Sequence, residues 1–100
     1  MIEVDIPAIL DRVGAAFTAK LGNPSNKAVE VTLTLTVATA ARPFSVDGGT
    51  AAASQKVHVV PFGTANVQIG GWGGGSAGDA VSLKGQAPDG AATGDGTVGT

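Results

Sequence analysis

The chain contains no cysteine in 100 residues, so a disulfide frame, a thiolate nucleophile and a zinc–thiolate centre are all excluded. A single histidine excludes a multi-histidine metal site. Charge is scarce too: charged residues make up 14% of the chain, against about 25% in an ordinary soluble domain. Six Lys and Arg against eight Asp and Glu leave a net charge of −2. Such a chain lacks the basic stripe of a nucleic-acid-binding surface. No segment approaches the roughly 20 apolar residues that a membrane helix requires. The first residues, Met1-Ile2-Glu3-Val4-Asp5, carry acids where a secretory signal needs bases, and no continuous apolar stretch follows. The expectation is a chain that stays in the cytoplasm when made, or one excised from a larger secreted protein. Large side chains are few, with three Phe and one Trp, and alanine inflates the 43% hydrophobic content. A chain this small buries about 60–65% of its unfolded surface, so modest stability is expected when it is alone.

What is present alternates. From Ala28 to Ala38, Val29, Val31, Leu33, Leu35 and Val37 share one face, and Glu30, Thr32, Thr34 and Thr36 share the other. That is a half-buried strand, because a helix would scatter these apolar residues around its circumference. Further strands are expected over Lys56–Val60, Ala65–Trp72 and Ala80–Ala87. Between the first two of these lies a turn, Pro61-Phe62-Gly63-Thr64, in which Pro sets φ and Gly can take a positive φ. Phe44 and Val46 suggest a short edge strand stopped by Asp47-Gly48-Gly49. Ile2, Val4 and Ile6 suggest an N-terminal edge strand ended by Pro7.

Residues 7–21 admit two readings. As a helix, Ile6, Leu10, Val13, Phe17 and Leu21 fall on one face, with Asp5 as cap and Gly22 and Pro24 as the stop. As a strand, Val13, Ala15, Phe17, Ala19 and Leu21 alternate inward and join the next strand through Gly22-Asn23-Pro24-Ser25-Asn26. The strand is favoured, because hairpin neighbours bury each other's apolar faces. After Pro88 the chain reads as a flexible Gly/Ala/Thr tail, residues 88–100, behind a single domain of residues 1–87. The expected architecture is an all-β, immunoglobulin-like antiparallel β-sandwich of about seven strands. The alternative is α+β with an N-terminal helix near residues 7–21.

Motifs for chemistry are weak. Gly73-Gly74-Gly75-Ser76-Ala77-Gly78 matches the dinucleotide spacing, but a strand-like segment follows where a helix must. It reads as a mobile hairpin loop. Asp89 and Asp95 stand too far apart for a calcium loop. Glu3 and Asp5 sit about 7 Å apart on one strand face, which alternation alone explains. His58 points outward as a surface residue, and none of Ser25, Ser45, Ser54, Ser76 and Ser82 lies in G-x-S-x-G. No catalytic residue, cofactor or metal is expected, and enzyme activity is not expected. Phe17 and Phe44 are expected in the core. Trp72, among five nearby glycines, either closes one end of the core or stacks outward on a partner. By period 2 it falls on the outer face unless Gly70-Gly71 makes a bulge. Phe62 divides in the same way.

Three stretches, AAFTAKLGNPSNKAVEVTLTLTV, KVHVVPFGTANVQIGGW and GDAVSLKGQA, together resemble immunoglobulin-like modules of bacterial surface proteins. These include the cell-adhesion-related (CARDB-like) and macroglobulin-type domains. The resemblance spans about residues 13–87, implies a β-sandwich, and carries no catalytic residues. Small sandwiches of this kind also serve as viral decoration and fibre subunits, an analogy of fold and size. The expected function is therefore a structural protein that binds a repetitive protein surface, such as a capsid. It would be found in the virion and could form a homo-oligomer. The alternative is an extracellular carbohydrate- or cell-surface-binding module. Neither nucleic acid nor a membrane is an expected partner. Candidate contacts are Ile2 and Val4 on the N-terminal strand, the uncharged Thr32, Thr34 and Thr36 face, Phe62 and Trp72. The Thr face is expected to be covered by a neighbour, because soluble monomers place more charge there.

Overall fold

Alternation along residues 29–37 buries Val31, Leu33, Leu35 and Val37 on one side and leaves Thr34 exposed on the other, as a strand with one face on a core must. The computed structural model describes residues 1–99. Among them the chain is all β, without a helix, in ten strands. These are β1 (Glu3–Asp5), β2 (Ile9–Leu10), β3 (Phe17–Gly22), β4 (Val29–Val37), β5 (Ala40–Arg42), β6 (Ser45–Val46), β7 (Ser54–Val59), β8 (Thr64–Gly70), β9 (Ala80–Ala87) and β10 (Gly90–Val98). One sheet has the order β1-β3-β8-β6. The other has the order β2-β10-β9-β4-β5, with β7 also paired to β4. The sheets pack face to face as an immunoglobulin-like β-sandwich.

The core lies between them. Phe17, Ala19, Leu21, Val67 and Ile69 face Val31, Leu33, Leu35, Val37, Val81 and Leu83, all buried. Each Val, Leu, Ile or Phe side chain among them contributes about 1.5–3 kcal/mol when fully buried. Phe17 and Phe44 are buried, as the sequence implies. The strand count exceeds seven because short segments change sheets. β1 pairs antiparallel with β3, then Pro7 breaks it, and β2 pairs parallel with β10. The N-terminal segment thus closes one side of the sandwich.

That crossing corrects the tail. Residues 90–98 are not a flexible appendage but the strand β10, paired with β9 from Gly90 to Thr97 and ending in buried Val98, which pairs with Leu10. Its glycines make room for the crossing chain: a Cβ at Gly96 would lie 2.5 Å from the Pro7 carbonyl oxygen, and one at Gly94 3.2 Å from that of Val4. Glycine here serves close approach rather than flexibility.

Residues 7–21 form neither the helix nor a strand from Val13. The strand begins at Phe17, and Val13 is 75% exposed. Asp11 makes a turn instead: its carboxylate accepts from the Val13 amide at 3.0 Å, and its carbonyl from the Gly14 amide at 3.0 Å. The glycine loop after β8 is also not a mobile hairpin, because β8 and β9 belong to different sheets. The loop is pinned: Gly75 donates to the Arg12 carbonyl at 3.0 Å, and Arg42 donates to the Trp72 and Gly74 carbonyls at 2.8 and 3.0 Å.

Candidate protein-interaction site

The candidate contacts do not gather on one surface. Ile2 is buried in the core, and half-buried Val4 packs against it, close to Gly85 and Gly94. Neither offers a free surface, because β1 pairs with β3 at the edge of one sheet while Val4 packs on β9 and β10 of the other. Trp72 is 1% exposed. Positive φ at Gly71 (65°) and Gly73 (84°) swings the chain so that the indole enters the core. There it meets Phe17 edge to face, with centroids 5.9 Å apart, and its Nε1 donates to the Ala15 carbonyl at 3.3 Å. It cannot stack on a sugar or a partner.

Thr32, Thr34 and Thr36 do lie on the outer face of β4, with Thr34 exposed and the other two half-buried. The strip is not isolated from charge. In register, Thr32 faces Lys56 and Gln86, and Thr34 faces Ser54 and Lys84. Lysines bracket the threonines, so the uncharged strip is narrow.

Phe62 is different. It is 74% exposed, the one exposed aromatic ring among the described residues. It sits in a turn closed by the Gly63 amide donating to the Val60 carbonyl at 3.1 Å, with Pro61 second and Phe62 third. Phe62 itself takes φ +53°, not Gly63 as the sequence suggests. Positive φ at the third position is the type II pattern, which favours glycine. A non-glycine residue there stores about 1–2 kcal/mol of strain. Gly63 contributes in another way: a Cβ there would collide with the exposed Val60 side chain, which would have to shift.

A second loop holds this turn. Asn23 is 4% exposed, and its Nδ2 donates to the carbonyls of Lys27 (2.8 Å), Val59 (3.2 Å) and Val60 (3.1 Å). Its Oδ1 accepts from the Ser25 amide at 3.1 Å and the Ser25 hydroxyl at 2.8 Å. The loops also bond directly: the Phe62 amide donates to the Ser25 carbonyl at 3.0 Å, and the Asn23 amide to that of Gly63 at 2.9 Å. The sequence marks a turn at Asn23 but not this role. The signal available was an Asn-Pro pair, whose side chain readily bonds the local backbone. Its bonds to Val59 and Val60 are long-range.

Phe62, Pro24 and Glu3 border a shallow cleft of about 170 Å³. A larger depression of about 570 Å³ lies at the opposite end between Ile9, Arg12 and Gly99, the last described residue. No aromatic ring lines it. Among the described residues, no group of three or more His, Cys, Asp and Glu could hold a metal ion. His58 is exposed on β7, and Glu3 and Asp5 are exposed on β1.

No protein-family model matches the chain, and no curated protein matches it. Solved structures share its fold. The Escherichia coli chaperone DraB superposes with a TM-score of 0.63 at 12% identity, over 98% of this chain and 53% of DraB. The chain therefore spans about half the length of that chaperone. The CARDB domain of a Pyrococcus furiosus protein, solved in complex with di-metal ions, superposes with a TM-score of 0.57 at 12% identity, over 98% of this chain and 90% of that domain. At such identity the likeness concerns the fold: both neighbours are β-sandwich-type folds, compatible with immunoglobulin-like modules.

Proposed function

We propose that the protein is a non-enzymatic interaction subunit that docks onto a protein surface through its Phe62 end. The observation that carries this reading is the Phe62 ring, held outward at positive φ on a turn that Asn23 fixes from beneath. Strained backbone residues persist only where the surroundings over-determine them, and they cluster at binding sites. Exposed Val60 and Pro61 extend the apolar tip. A rigid aromatic anchor loses little entropy on docking.

The finer reading is attachment to a repetitive assembly such as a virus capsid. It is supported by the scarcity of charge and by the small size of the sandwich. A cell-surface or carbohydrate-binding module of a larger protein is the second reading. Phe62 supports it too, as the exposed ring on which a sugar could stack.

A benzophenone side chain placed at position 62, in the cells that make the protein, tests the first reading. The expected product is one crosslinked protein species that occurs in many copies within a larger particle, with little crosslinking from position 34. Crosslinks from the Thr34 face but none from position 62 would overturn the docking assignment. Glycan-array binding that is lost in Phe62→Ala would favour the second reading.

A further inference from the structure

We propose that the cleft beside Phe62 is a notch for an arginine side chain of the partner protein. The guanidinium would stack on the Phe62 ring and bond the Glu3 carboxylate. This deepens the docking reading and rests on it. The cleft combines an aromatic ring and Pro24 with one ionised group, Glu3. The Glu3 side chain lies over Gly22 of β3: a Cβ at Gly22 would be 3.5 Å from Glu3 Cβ and 3.6 Å from Oε2, ordinary contact distances. The polar atoms of Asn23 are already engaged with Ser25, Lys27, Val59 and Val60. Glu3 is thus the group that can bond an incoming ligand ionically.

Its charge is uncompensated. The two ion pairs among the described residues are Met1 amine–Asp89 and Lys56–Glu30, and Glu3 belongs to neither. The neighbouring Lys20 is in register with Asp5, one row along. An open carboxylate beside an exposed ring is complementary to a cation. Arginine fits better than lysine, because a planar guanidinium stacks on a ring and forks onto a carboxylate at once. A cleft of about 170 Å³ admits one side chain and not a folded segment.

The probe is Nα-acetyl-arginine amide, titrated into the ¹⁵N-labelled protein and followed by amide shifts. Saturable shifts are expected at Glu3, Gly22 and residues 62–64. Glu3→Gln and Phe62→Ala should each weaken binding at least about threefold with the spectrum otherwise intact, since both side chains are exposed. The uncharged citrulline amide should give no shifts, and the lysine amide should bind more weakly. Scattered or absent shifts, binding unchanged in Glu3→Gln, or lysine binding as tightly as arginine would overturn the notch. Arginine amide binding unchanged in Glu3→Gln, with crosslinking from position 62 still seen, would leave the docking reading standing while ending this one. Absence of crosslinking from position 62 would end the docking reading whatever the titration shows.

Discussion

Each end of the sandwich sets an aromatic residue in a turn with glycine, and the two rings go opposite ways. At one end Gly71 and Gly73 take the positive φ, and Trp72 between them turns inward with 1% exposure. At the other end Phe62 takes the positive φ itself and stands 74% exposed beside Gly63. The two ends thus differ both in which residue carries the left-handed conformation and in where the ring points. Where glycine carries it, the aromatic is free to follow its burial free energy. Where the aromatic carries it, strain is stored and the ring stays in water.

The largest expected effect tests that contrast directly. Trp72→Ala leaves a cavity beside Phe17 and an unpaired Ala15 carbonyl, and should cost about 3–5 kcal/mol. Phe62→Ala removes an exposed ring and should stay within about 0.5 kcal/mol of wild type. Urea denaturation of the two variants measures both. Comparable losses at the two positions would mean that the Phe62 ring is packed in solution, and the division between a structural end and a docking end would fail.

A smaller effect is expected from Asn23→Ala, which removes the donor for three carbonyls in and beside the exposed turn. Leaving such groups without a partner costs about 1–3 kcal/mol. Beyond the stability loss, hydrogen exchange at the amides of residues 62 and 23 should accelerate more than at the core amides of β4 or β9. Uniform acceleration would mean that Asn23 supports the whole fold rather than the tip.

Much of the framework is legible because it is local. The Val29–Val37 alternation and the Ala80–Ala87 strand follow from period 2 alone, and both form as expected. Phe44 and Val46 mark a short edge strand in the same way, stopped by Asp47 and Gly48 at positive φ. Legibility ends where one segment's residues are chosen by another. Gly94 and Gly96 look like a flexible tail until Val4 and Pro7 are seen to cross them. Val13 continues the alternation of Phe17 and Leu21, yet Asp11 caps a turn that leaves it outside. Phe62 is legible as a turn residue, but its positive φ is not, nor is the bond from its amide to the Ser25 carbonyl of another loop. Ile2 and Trp72 were legible as apolar, and only the meeting of the two sheets decides that both are core.

The smallest effect is the most diagnostic of the tip. At φ +53° an alanine keeps most of the backbone strain that phenylalanine bears, whereas glycine removes it. The strain is about 1–2 kcal/mol, and the extra freedom of glycine in the unfolded chain offsets about 0.4–1 kcal/mol of the gain. Phe62→Gly should therefore be more stable than Phe62→Ala by up to about 1.6 kcal/mol, read as a higher urea midpoint at equal slope. Both variants should bind the arginine amide more weakly, since neither presents a ring. If the alanine variant matches the glycine variant in stability, residue 62 leaves the left-handed region in solution. The ring would then lack a fixed direction, and the contrast with Trp72 would reduce to a difference in burial. If glycine is the more stable, folding alone would prefer it at this position. The phenylalanine would then keep its ring in water against the preference of its own backbone, as an anchor awaiting a partner must.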